Sequence, residues 1–267
     1  MKTFSHICII GGGNLGRAIA QRLLRDPSFD PSSLTVTRRK VSRLADLAEA
    51  GIQTSDDNLQ AVEGSELILL GVQPGQLPGV MQQILPKIDP ERHIVASLAT
   101  GFTLEEMREI AGPGVPLYRA MPNTATALRE SMTCIATEDP DRNRRQAVLN
   151  FFERLGTAII IEENLMASAT VLGACGIAFA LRFIRAASQG GTEIGFEAEL
   201  AQLIATQTVK GAAALLLKGG NHPEREIDRV TTPRGCTIAG LNQMEHQGFS
   251  SALIRGITTS YKRIEDI

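Results

Sequence analysis

The feature that most constrains the fold is a glycine-rich turn between a short apolar run and an amphipathic segment near the start of the chain. The run ICII at 7–10 leads directly into Gly11, Gly13 and Gly16, and the helical pattern RAIAQRLLR follows at 17–25. In a strand–turn–helix unit, the first glycine forms the turn, the second lets a pyrophosphate approach the backbone, and the third lets helix and strand pack closely. The pattern predicts a dinucleotide site at the helix N-terminus, rather than a turn with a structural role alone. The cofactor contacts predicted here are Gly11, Gly13, Asn14, Leu15 and Gly16.

The end of the second apolar run indicates which dinucleotide binds. An NAD site places Asp or Glu about 20 residues beyond the glycines, where the carboxylate holds the ribose hydroxyls. In this chain the run LTVT is followed by Arg38, Arg39 and Lys40, and no acidic residue stands there. Hydroxyl and guanidinium groups suit a 2′-phosphate instead, so Thr37, Arg38 and Arg39 are predicted to favour NADP(H). The alternative is a solvated basic start to the next helix.

The hydrophobic periodicity divides the chain into two parts. Residues 1–163 alternate short strand-like runs with helical patterns, which is typical of a doubly wound α/β sheet of the Rossmann type. Residues 164–267 carry only helical patterns. We therefore predict an N-terminal dinucleotide-binding domain and an all-helical C-terminal domain, with a boundary at 163. The helical patterns at 164–189 and 195–218 are apolar on more than one face, which indicates a subunit interface.

Composition and charge exclude several classes of protein. The chain has 267 residues, of which 43% are hydrophobic and 21% charged, and its formal net charge of -2 favours neither nucleic acid nor an anionic membrane as partner. No uninterrupted apolar run reaches the 18 or so residues of a membrane span, so we expect no spanning helix. The start of the chain lacks a secretory signal pattern and the cysteines form no CxxC pair. We therefore expect free thiols and a cytoplasmic protein.

Motifs for metal-dependent or serine-based hydrolysis are absent from the sequence. It contains no HExxH, no GxSxG and no paired Cys/His cluster, and its histidines are scattered at His6, His93, His222 and His246. We therefore expect no metal ion. A bound cofactor is expected to supply the chemistry, while the protein supplies position and polarity.

Five segments, taken in order, resemble one enzyme family. They are GGGNLGRAI at 11–19, LLGVQPGQL at 69–77, SLATG at 97–101, RAMPNT at 119–124 and VTTPRGCTIAGLNQME at 230–245. Together they resemble pyrroline-5-carboxylate reductase, the NADP(H)-dependent enzyme of proline biosynthesis, over essentially the full chain. The ordered set is far more specific than any one segment. The resemblance implies hydride transfer to the C=N bond of a small cyclic imino acid.

The resemblance also assigns roles to residues in both predicted domains. The cofactor contacts that it adds are Val72, Pro74, Ala99, Gly101 and Asn123. Thr237 is placed to hydrogen-bond the ring nitrogen of the substrate, and the backbone at Gly235, Cys236 and Thr237 binds its carboxylate, with Arg234 and Cys175 also assigned to the substrate. Family members are dimers with intertwined helical domains, so that each active site combines two chains, and some form a ring of dimers.

The segment 230–237 also has a physical interpretation. A helix that starts near Thr237 offers free N–H groups and the positive end of its dipole to a carboxylate. The alternative is that Thr237 only caps the helix. A threonine hydroxyl is a poor acid, so the imine is expected to arrive protonated or to take its proton from water, and catalysis to come mainly from orientation. If Arg234 has a positive φ, its conformation costs on the order of 1 kcal/mol.

The departures from the family pattern concern the residues expected near the substrate. ATALRES at 125–131 replaces Pro-Ala and two spaced glycines, ACGIAF at 174–179 replaces Gly-Ser-Gly-Pro-Ala-Tyr, and Arg234 and Cys236 stand where Gly and Thr or Ala are usual. Two alternatives therefore stay open: a reductase of another cyclic imine or keto acid, and a dinucleotide-binding protein without turnover. A hydroxyacid dehydrogenase is less favoured, because residues 163–176 contain no lysine.

Overall fold

The structure is a computed structural model of the chain and describes residues 4–265. Two compact units make up the chain. The first contains the residues up to Ala174 together with those from Tyr261 onward, and the second is Cys175–Ser260. Within the described residues, all strands lie in the first unit and the second unit is helical.

An eight-stranded sheet forms the first unit. Its strands are β1 (Ile7–Ile10), β2 (Leu34–Thr37), β3 (Gln53–Ser55), β4 (Leu67–Leu70), β5 (Ile94–Ser97), β6 (Leu117–Met121), β7 (Ser131–Thr137) and β8 (Gly156–Ile160). Their order across the sheet is β3-β2-β1-β4-β5-β6-β7-β8, and neighbours are parallel except for the antiparallel pair β6 and β7. This is the doubly wound, Rossmann-like sheet that the alternating sequence pattern predicts.

Helices occupy most connections between the strands, and one short helix follows the last strand. They are α1 (Asn14–Leu24), α2 (Ala45–Glu49), α3 (Asn58–Glu63), α4 (Leu77–Ile84), α5 (Leu104–Ala111), α6 (Arg142–Glu153) and the short α7 (Met166–Ala169). Three of them begin at side-chain caps: Asp57 caps α3, Asp141 caps α6, and Thr103 with Glu106 forms a capping box on α5. By contrast, α1 begins at Gly13 without a side-chain cap, so its first N–H groups stay free for another acceptor.

Two apolar cores cover the two faces of the sheet. In β1, Ile7 and Ile9 belong to one core, whereas Cys8 and Ile10 belong to the other, and β4 shows the same alternation. Successive side chains of a strand point to opposite faces, so a sheet that is covered on both faces needs apolar residues at every position. This is why the strands appear in the sequence as continuous apolar runs.

The boundary predicted at 163 marks the end of the strands, whereas the compact first unit continues to Ala174. The reason is that the start of the helical stretch packs on the sheet: Met166 is buried against Met121 and Ala136. A π-helical segment, Thr170–Cys175, then follows α7. The change of unit falls at the end of this segment.

Helices form the whole second unit. They are α8 (Gly176–Glu193), α9 (Ala198–Gly219), α10 (Pro223–Val230), α11 (Cys236–His246) and α12 (Phe249–Glu265), whose end belongs to the first unit. The helices α8 and α9 approach closely where Gly191 meets Ala201, since a Cβ on Gly191 would lie 3.0 Å from the Ala201 Cβ. Of the described residues in this unit, only Ala201 and Ala205 are buried. Exposed large apolar side chains on α8 and α9 include Leu181, Phe183, Leu203, Ile204, Leu215 and Leu217.

Two helical stretches are long and apolar enough to cross a membrane by length and composition alone. They are Glu163–Glu193, with a mean hydropathy of 1.7, and Ala198–Gly219, with a mean hydropathy of 1.3. The expectation of no spanning helix was based on uninterrupted apolar runs. These two stretches meet the broader measure because alanine, leucine and isoleucine raise the mean hydropathy despite isolated polar residues. Helices that bury apolar faces against protein have the same composition.

A buried ionic network joins β6 to the start of α6. The Tyr118 hydroxyl donates to Asp139 Oδ2 at 2.7 Å, and Arg144 donates to both Asp139 oxygens from Nε at 2.8 Å and from Nη2 at 2.7 Å. The Asp139 side chain is 1% exposed. Burial opposes its ionisation, but the hydrogen bonds from Arg144 and Tyr118 outweigh burial and hold the pKa of Asp139 below its usual range.

Replacing Asp139 by asparagine is expected to lower the free energy of unfolding by about 3 kcal/mol, because Arg144 then lacks its charged partner. Chemical denaturation at pH 7 measures the change. Glu138→Gln is the matched control, since Glu138 forms an exposed ion pair with Arg108 that contributes under about 1 kcal/mol. The folded state lowers the pKa of Asp139, so its contribution is present at neutral pH and is lost as the pH falls through the folded pKa. A deficit of Asp139→Asn that did not shrink in acid would contradict this assignment.

Candidate functional site

The cofactor residues predicted from the sequence follow five strands of the sheet at their carboxyl ends. Gly11 follows β1, Arg38 follows β2, Val72 follows β4, Ala99 comes just after β5, and Asn123 comes just after β6. These strands are parallel, so the five segments lie at one edge of the sheet. The connections lead in opposite directions from β1 and β4, and ligands of doubly wound sheets bind outside the carboxyl ends at such a switch point.

The glycine turn after β1 combines two crowded positions with an open one. Gly11 has φ +109°, and a Cβ there would lie 2.5 Å from the carbonyl oxygen of Gly71. A Cβ on Gly16 would clash with the carbonyl oxygen of Gly11. A Cβ on Gly13 would meet nothing within 4 Å. The space beside Gly13 and the free amides of α1, whose first turn carries no acidic residue, fit an anionic dinucleotide.

At the end of β2, Thr37 and Arg38 support the glycine turn, whereas Arg39 faces solvent. The Thr37 carbonyl accepts from the N–H groups of Gly11 and Gly12 at 3.1 and 2.8 Å, and its buried hydroxyl donates to Asn58 Oδ1 at 2.6 Å. Arg38 Nη1 donates to the Gly12 carbonyl at 2.7 Å. Arg39 is exposed, and no partner for its guanidinium lies among residues 4–265. A direct contact of the Thr37 hydroxyl with a phosphate would require loss of its bond to Asn58.

The segments after β4 and β5 lie beside the same turn. The half-buried Val72 has its Cγ1 3.1 Å from the position of a Gly11 Cβ, and Pro74 is exposed at the start of a short 3-10 turn. Ala99 is buried, with its N–H donating to Ser97 Oγ at 3.2 Å, and Gly101 has φ +77°. Positive φ at Gly101 explains why the SLATG segment ends in glycine.

Asn123 is fixed by the protein at three points. Its backbone N–H donates to Ser131 Oγ at 3.1 Å, its Oδ1 accepts from the Ala125 N–H at 3.0 Å, and its Nδ2 donates to the Gly173 carbonyl at 3.0 Å. The residue is 7% exposed. The geometry therefore gives Asn123 a positioning role that the sequence did not indicate: it ties the end of β6 to the π-helical segment.

A second set of contacts in this region, made by the Glu163 carboxylate, was not predicted from the sequence. Glu163 Oε1 accepts from Arg119 Nη1 at 3.0 Å and from the Leu104 N–H at 2.6 Å. Arg119 is 7% exposed within β6. The only signal in the sequence is an arginine inside an otherwise apolar run, which predicts a buried partner but does not name it.

In the second unit, α11 begins with free backbone amides. Gly235 is its N-cap, with φ -73° and ψ 160°, no side chain caps the helix, and its first turn contains no acidic residue. Thr237 is the second helical residue and is exposed, and its hydroxyl has no hydrogen-bond partner in the described part of the chain. The alternative that Thr237 caps the helix is therefore wrong, because the N-cap is Gly235, two residues before Thr237.

The other residues predicted to bind substrate are placed as follows. Arg234 is exposed with φ +61°, which is the strained conformation considered for it. The Gly235 N–H donates to the Thr232 carbonyl at 2.9 Å, so the prediction that this amide binds the substrate carboxylate is wrong. A Cβ on Gly235 would lie 2.6 Å from Thr232 Oγ1, so a side chain there would displace that hydroxyl. Cys236 is exposed at the first position of α11, and the half-buried Cys175 ends the π-helical segment. Across the described residues, no group of three His, Cys, Asp or Glu side chains could hold a metal ion.

Gly13→Ala is expected to keep the fold but to weaken binding of NADPH about tenfold or more, because the added methyl would occupy the space proposed for the pyrophosphate. Isothermal titration with NADPH measures the affinity, and thermal unfolding checks the fold. Gly79→Ala on α4 is the control, because a Cβ there also meets nothing within 4 Å. Equal affinities in the two variants would rule out a phosphate at Gly13.

Arg234→Gly is expected to raise the free energy of unfolding by about 1 kcal/mol, because glycine adopts φ +61° without a Cβ clash. Chemical denaturation measures the change. Arg225→Gly within α10 is the matched control and should lower stability by about 1 kcal/mol, since it places glycine in a helix. A loss of stability in Arg234→Gly would mean that the Arg234 side chain makes contacts that outweigh the strain.

Comparison with known proteins gives consistent matches over both units. The family model described as pyrroline-5-carboxylate reductase dimerisation matches residues 163–267, and the one described as NADP oxidoreductase, coenzyme F420-dependent, matches residues 6–101. Pyrroline-5-carboxylate reductase 2 of Dictyostelium discoideum is 42% identical over 98% of this chain and 93% of its own length. Pyrroline-5-carboxylate reductase 1 of the same organism is 44% identical over 97% of this chain, which spans only 49% of that protein.

Solved structures show the same fold. A pyrroline-5-carboxylate reductase from Coxiella burnetii matches with a TM-score of 0.90 and 26% identity, over 98% of each chain. A Plasmodium falciparum pyrroline carboxylate reductase solved with NADP bound has a TM-score of 0.88 and 20% identity, over 98% of this chain and 97% of that one. With these sequence matches over nearly its full length, the chain belongs to the pyrroline-5-carboxylate reductase family.

Proposed function

We propose that this chain reduces the C=N bond of 1-pyrroline-5-carboxylate to give L-proline, with NADPH as the reductant. The observation that carries the proposal is the uncapped N-terminus of α11 with the free Thr237 hydroxyl beside it, in a family member that also has an open glycine turn. The turn suits a dinucleotide, and the helix end suits a small carboxylate. A reductase of this family needs both.

The first unit is proposed to bind the cofactor. The residues assigned to it are Gly11, Gly13, Asn14, Leu15, Gly16, Thr37, Arg38, Arg39, Val72, Pro74, Ala99, Gly101 and Asn123. Thr37 and Asn123 are proposed to act by holding the turn and the end of β6, because their side chains already bond within the protein. The exposed Arg39 is the best placed to meet a 2′-phosphate, since its guanidinium has no partner within the described residues. When bound, NADPH supplies the hydride.

The second unit is proposed to bind the imino acid. Amides at Cys236 and Thr237 face no backbone acceptor, because the first N–H groups of a helix have none. A charge-assisted hydrogen bond from such an amide to a carboxylate contributes about 1.5–3 kcal/mol. The positive end of the α11 dipole adds to this attraction, and the exposed Arg234 supplies a further cation. Cys175 stays a predicted neighbour of the substrate.

Thr237 is proposed to orient the ring nitrogen rather than to protonate it. Its hydroxyl is free to accept a hydrogen bond from a protonated imine or to donate one to the amine product. The described residues contain no histidine or carboxylate next to Thr237 on α11 that would act as a proton donor. Catalysis is therefore assigned to orientation of the two bound molecules, which can supply several kcal/mol of the barrier reduction.

The helical unit is also proposed to form a homodimer. The dimerisation model matches residues 163–267, where α8 and α9 expose large apolar side chains. Burial against a second copy would remove this apolar surface from water. Burial in a dimer would also explain the high mean hydropathy of these two helices, without a membrane. A cytoplasmic location and a larger ring of dimers are proposals from the family resemblance, and residues 1–163 and 164–267 are proposed as the functional domains.

The test of the reaction is oxidation of NADPH by the purified protein with 1-pyrroline-5-carboxylate, followed at 340 nm beside NADH and a six-membered ring analogue. Turnover with the five-membered imine and a preference for NADPH are expected. Turnover only with the larger ring would move the activity to another cyclic imine. Tight NADPH binding without turnover of either imine would point to a dinucleotide-binding protein without catalysis.

Thr237→Val is expected to lower kcat about tenfold while the dissociation constant of NADPH is unchanged, because it removes one hydrogen bond of roughly 1.4 kcal/mol from the reacting nitrogen. Stopped-flow reduction and NADPH titration measure the two quantities. Thr206→Val on α9 is the matched control at another exposed threonine. Unchanged kcat in Thr237→Val would remove this residue from the reaction.

A further inference from the structure

The carboxylate of Glu163 connects two segments of the predicted cofactor edge. Its Oε1 atom accepts from the Leu104 N–H at 2.6 Å and from Arg119 Nη1 at 3.0 Å. Leu104 is the first residue of α5, shortly after the segment that follows β5 and ends at Gly101. Arg119 lies within β6, shortly before Asn123. One oxygen atom therefore holds the start of α5 and the end of β6 together.

Both donors depend on this oxygen atom. Arg119 is 7% exposed, and within the described residues its guanidinium has no other acceptor, while its Nε stays unpaired. The Leu104 N–H lies in the first turn of α5, where a helix supplies no backbone acceptor and its dipole attracts a negative charge. The cap residue Thr103 accepts from the Glu106 N–H, so the Leu104 N–H is left to Glu163.

The glycine half of the cofactor edge is held by other contacts. The turn after β1 lies against Gly71 and donates to the Thr37 carbonyl, and Arg38 donates to the Gly12 carbonyl. None of these contacts includes Glu163. A doubly wound sheet binds a dinucleotide across two halves, and the half with the glycine turn and the end of β2 takes the adenosine ribose and the pyrophosphate. The half that contains β5 and β6 is therefore left for the nicotinamide end.

We propose that Glu163 is a positioning residue for the nicotinamide end of the cofactor, because it holds together two segments on that side of the site. This inference rests on the proposed NADPH-dependent function. Glu163 is the first residue matched by the dimerisation model, yet its contacts lie in the compact first unit, which continues to Ala174. A residue that the family model groups with the dimer thus belongs, by its contacts, to the cofactor edge.

The alternative is an ion pair that only stabilises the fold. Loss of such a pair would lower stability, but it would affect both ends of the cofactor alike. The buried pair of Asp139 and Arg144 provides the comparison, since it lies in the same unit and follows β7, whose antiparallel direction places this end at the opposite edge of the sheet. Asp139→Asn should therefore lower stability without changing cofactor binding.

Isothermal titration with two probes tests the proposal. NADPH spans both halves of the site, whereas adenosine 2′,5′-bisphosphate carries only the adenosine end. Glu163→Ala should raise the dissociation constant of NADPH about tenfold or more and change that of the bisphosphate less than about twofold. Glu162→Ala is the matched control, since this exposed neighbour loses the same charge, and both of its dissociation constants should stay unchanged. Thermal unfolding of each variant, with Asp139→Asn beside them, measures the loss of stability separately.

The two probes separate the possible outcomes. A loss confined to NADPH in Glu163→Ala supports the proposal. Equal changes for the two probes, or no change in either, overturn it and leave Glu163 as a structural partner of Arg119. Equal affinities of the unmodified chain for the two probes also overturn it, because the nicotinamide end would then contribute nothing to binding. An unmodified chain that binds NADPH without reducing the imine overturns the proposed reaction alone, since this test measures binding and not turnover.

A second variant decides the question if Glu163→Ala does not fold. Glu163→Asp retains a negative charge for Arg119, but its side chain is one methylene group shorter, so the carboxylate cannot reach both donors without a shift of one segment. NADPH should bind about threefold or more weakly, with binding of the bisphosphate unchanged. An unchanged ratio of the two dissociation constants in Glu163→Asp would overturn the proposal.

Discussion

The close approach of backbone to backbone at the first turn is the constraint on which the cofactor edge depends. Gly11 lies against Gly71 and Gly16 with no room for a side chain, so β1, β4 and the start of α1 are fixed relative to one another. The Thr37 carbonyl holds the same turn from β2 through two N–H groups. Three strands, β1, β2 and β4, therefore contact one glycine segment. These close backbone contacts define the open space beside Gly13.

A second set of contacts connects this edge to the start of the helical stretch. Asn123 bonds to Gly173 in the π-helical segment, and Arg119 bonds to Glu163 where the helices begin. Both residues belong to the RAMPNT segment of β6 and the turn after it. That segment is therefore important for the position of the first helical turns as well as for the cofactor edge. Loss of the Glu163 carboxylate would leave the buried Arg119 guanidinium without its ionic partner, which is strongly destabilising. The ion pair therefore favours this one arrangement of the two residues.

The sequence was sufficient for the fold, because continuous apolar runs and a glycine turn each correspond to one local structure. The location of the cofactor segments could also be predicted, because they follow parallel strands and the carboxyl ends of parallel strands lie at one edge of the sheet. Side-chain partners were not predictable: the bond from Thr37 to Asn58 spans 21 residues, and that from Asn123 to Gly173 spans 50. The sequence left Thr237 open as the cap of α11, whereas the cap is Gly235, two residues earlier; glycine and threonine both serve as caps, and only backbone angles decide between them.

The π-helical segment Thr170–Cys175 sets the helical phase of everything that follows it up to Glu193. Its hydrogen bonds span one residue more than those of an α-helix, and one inserted residue rotates the later side chains by about 100° about the helix axis. Met166 lies before this segment and packs on the sheet within the first unit. Loss of a single residue between 170 and 175 would leave the composition of α8 unchanged and would shift the phase of its side chains along the helix by about 100°. The surface that α8 offers to a partner is therefore set by a local insertion as much as by its own sequence.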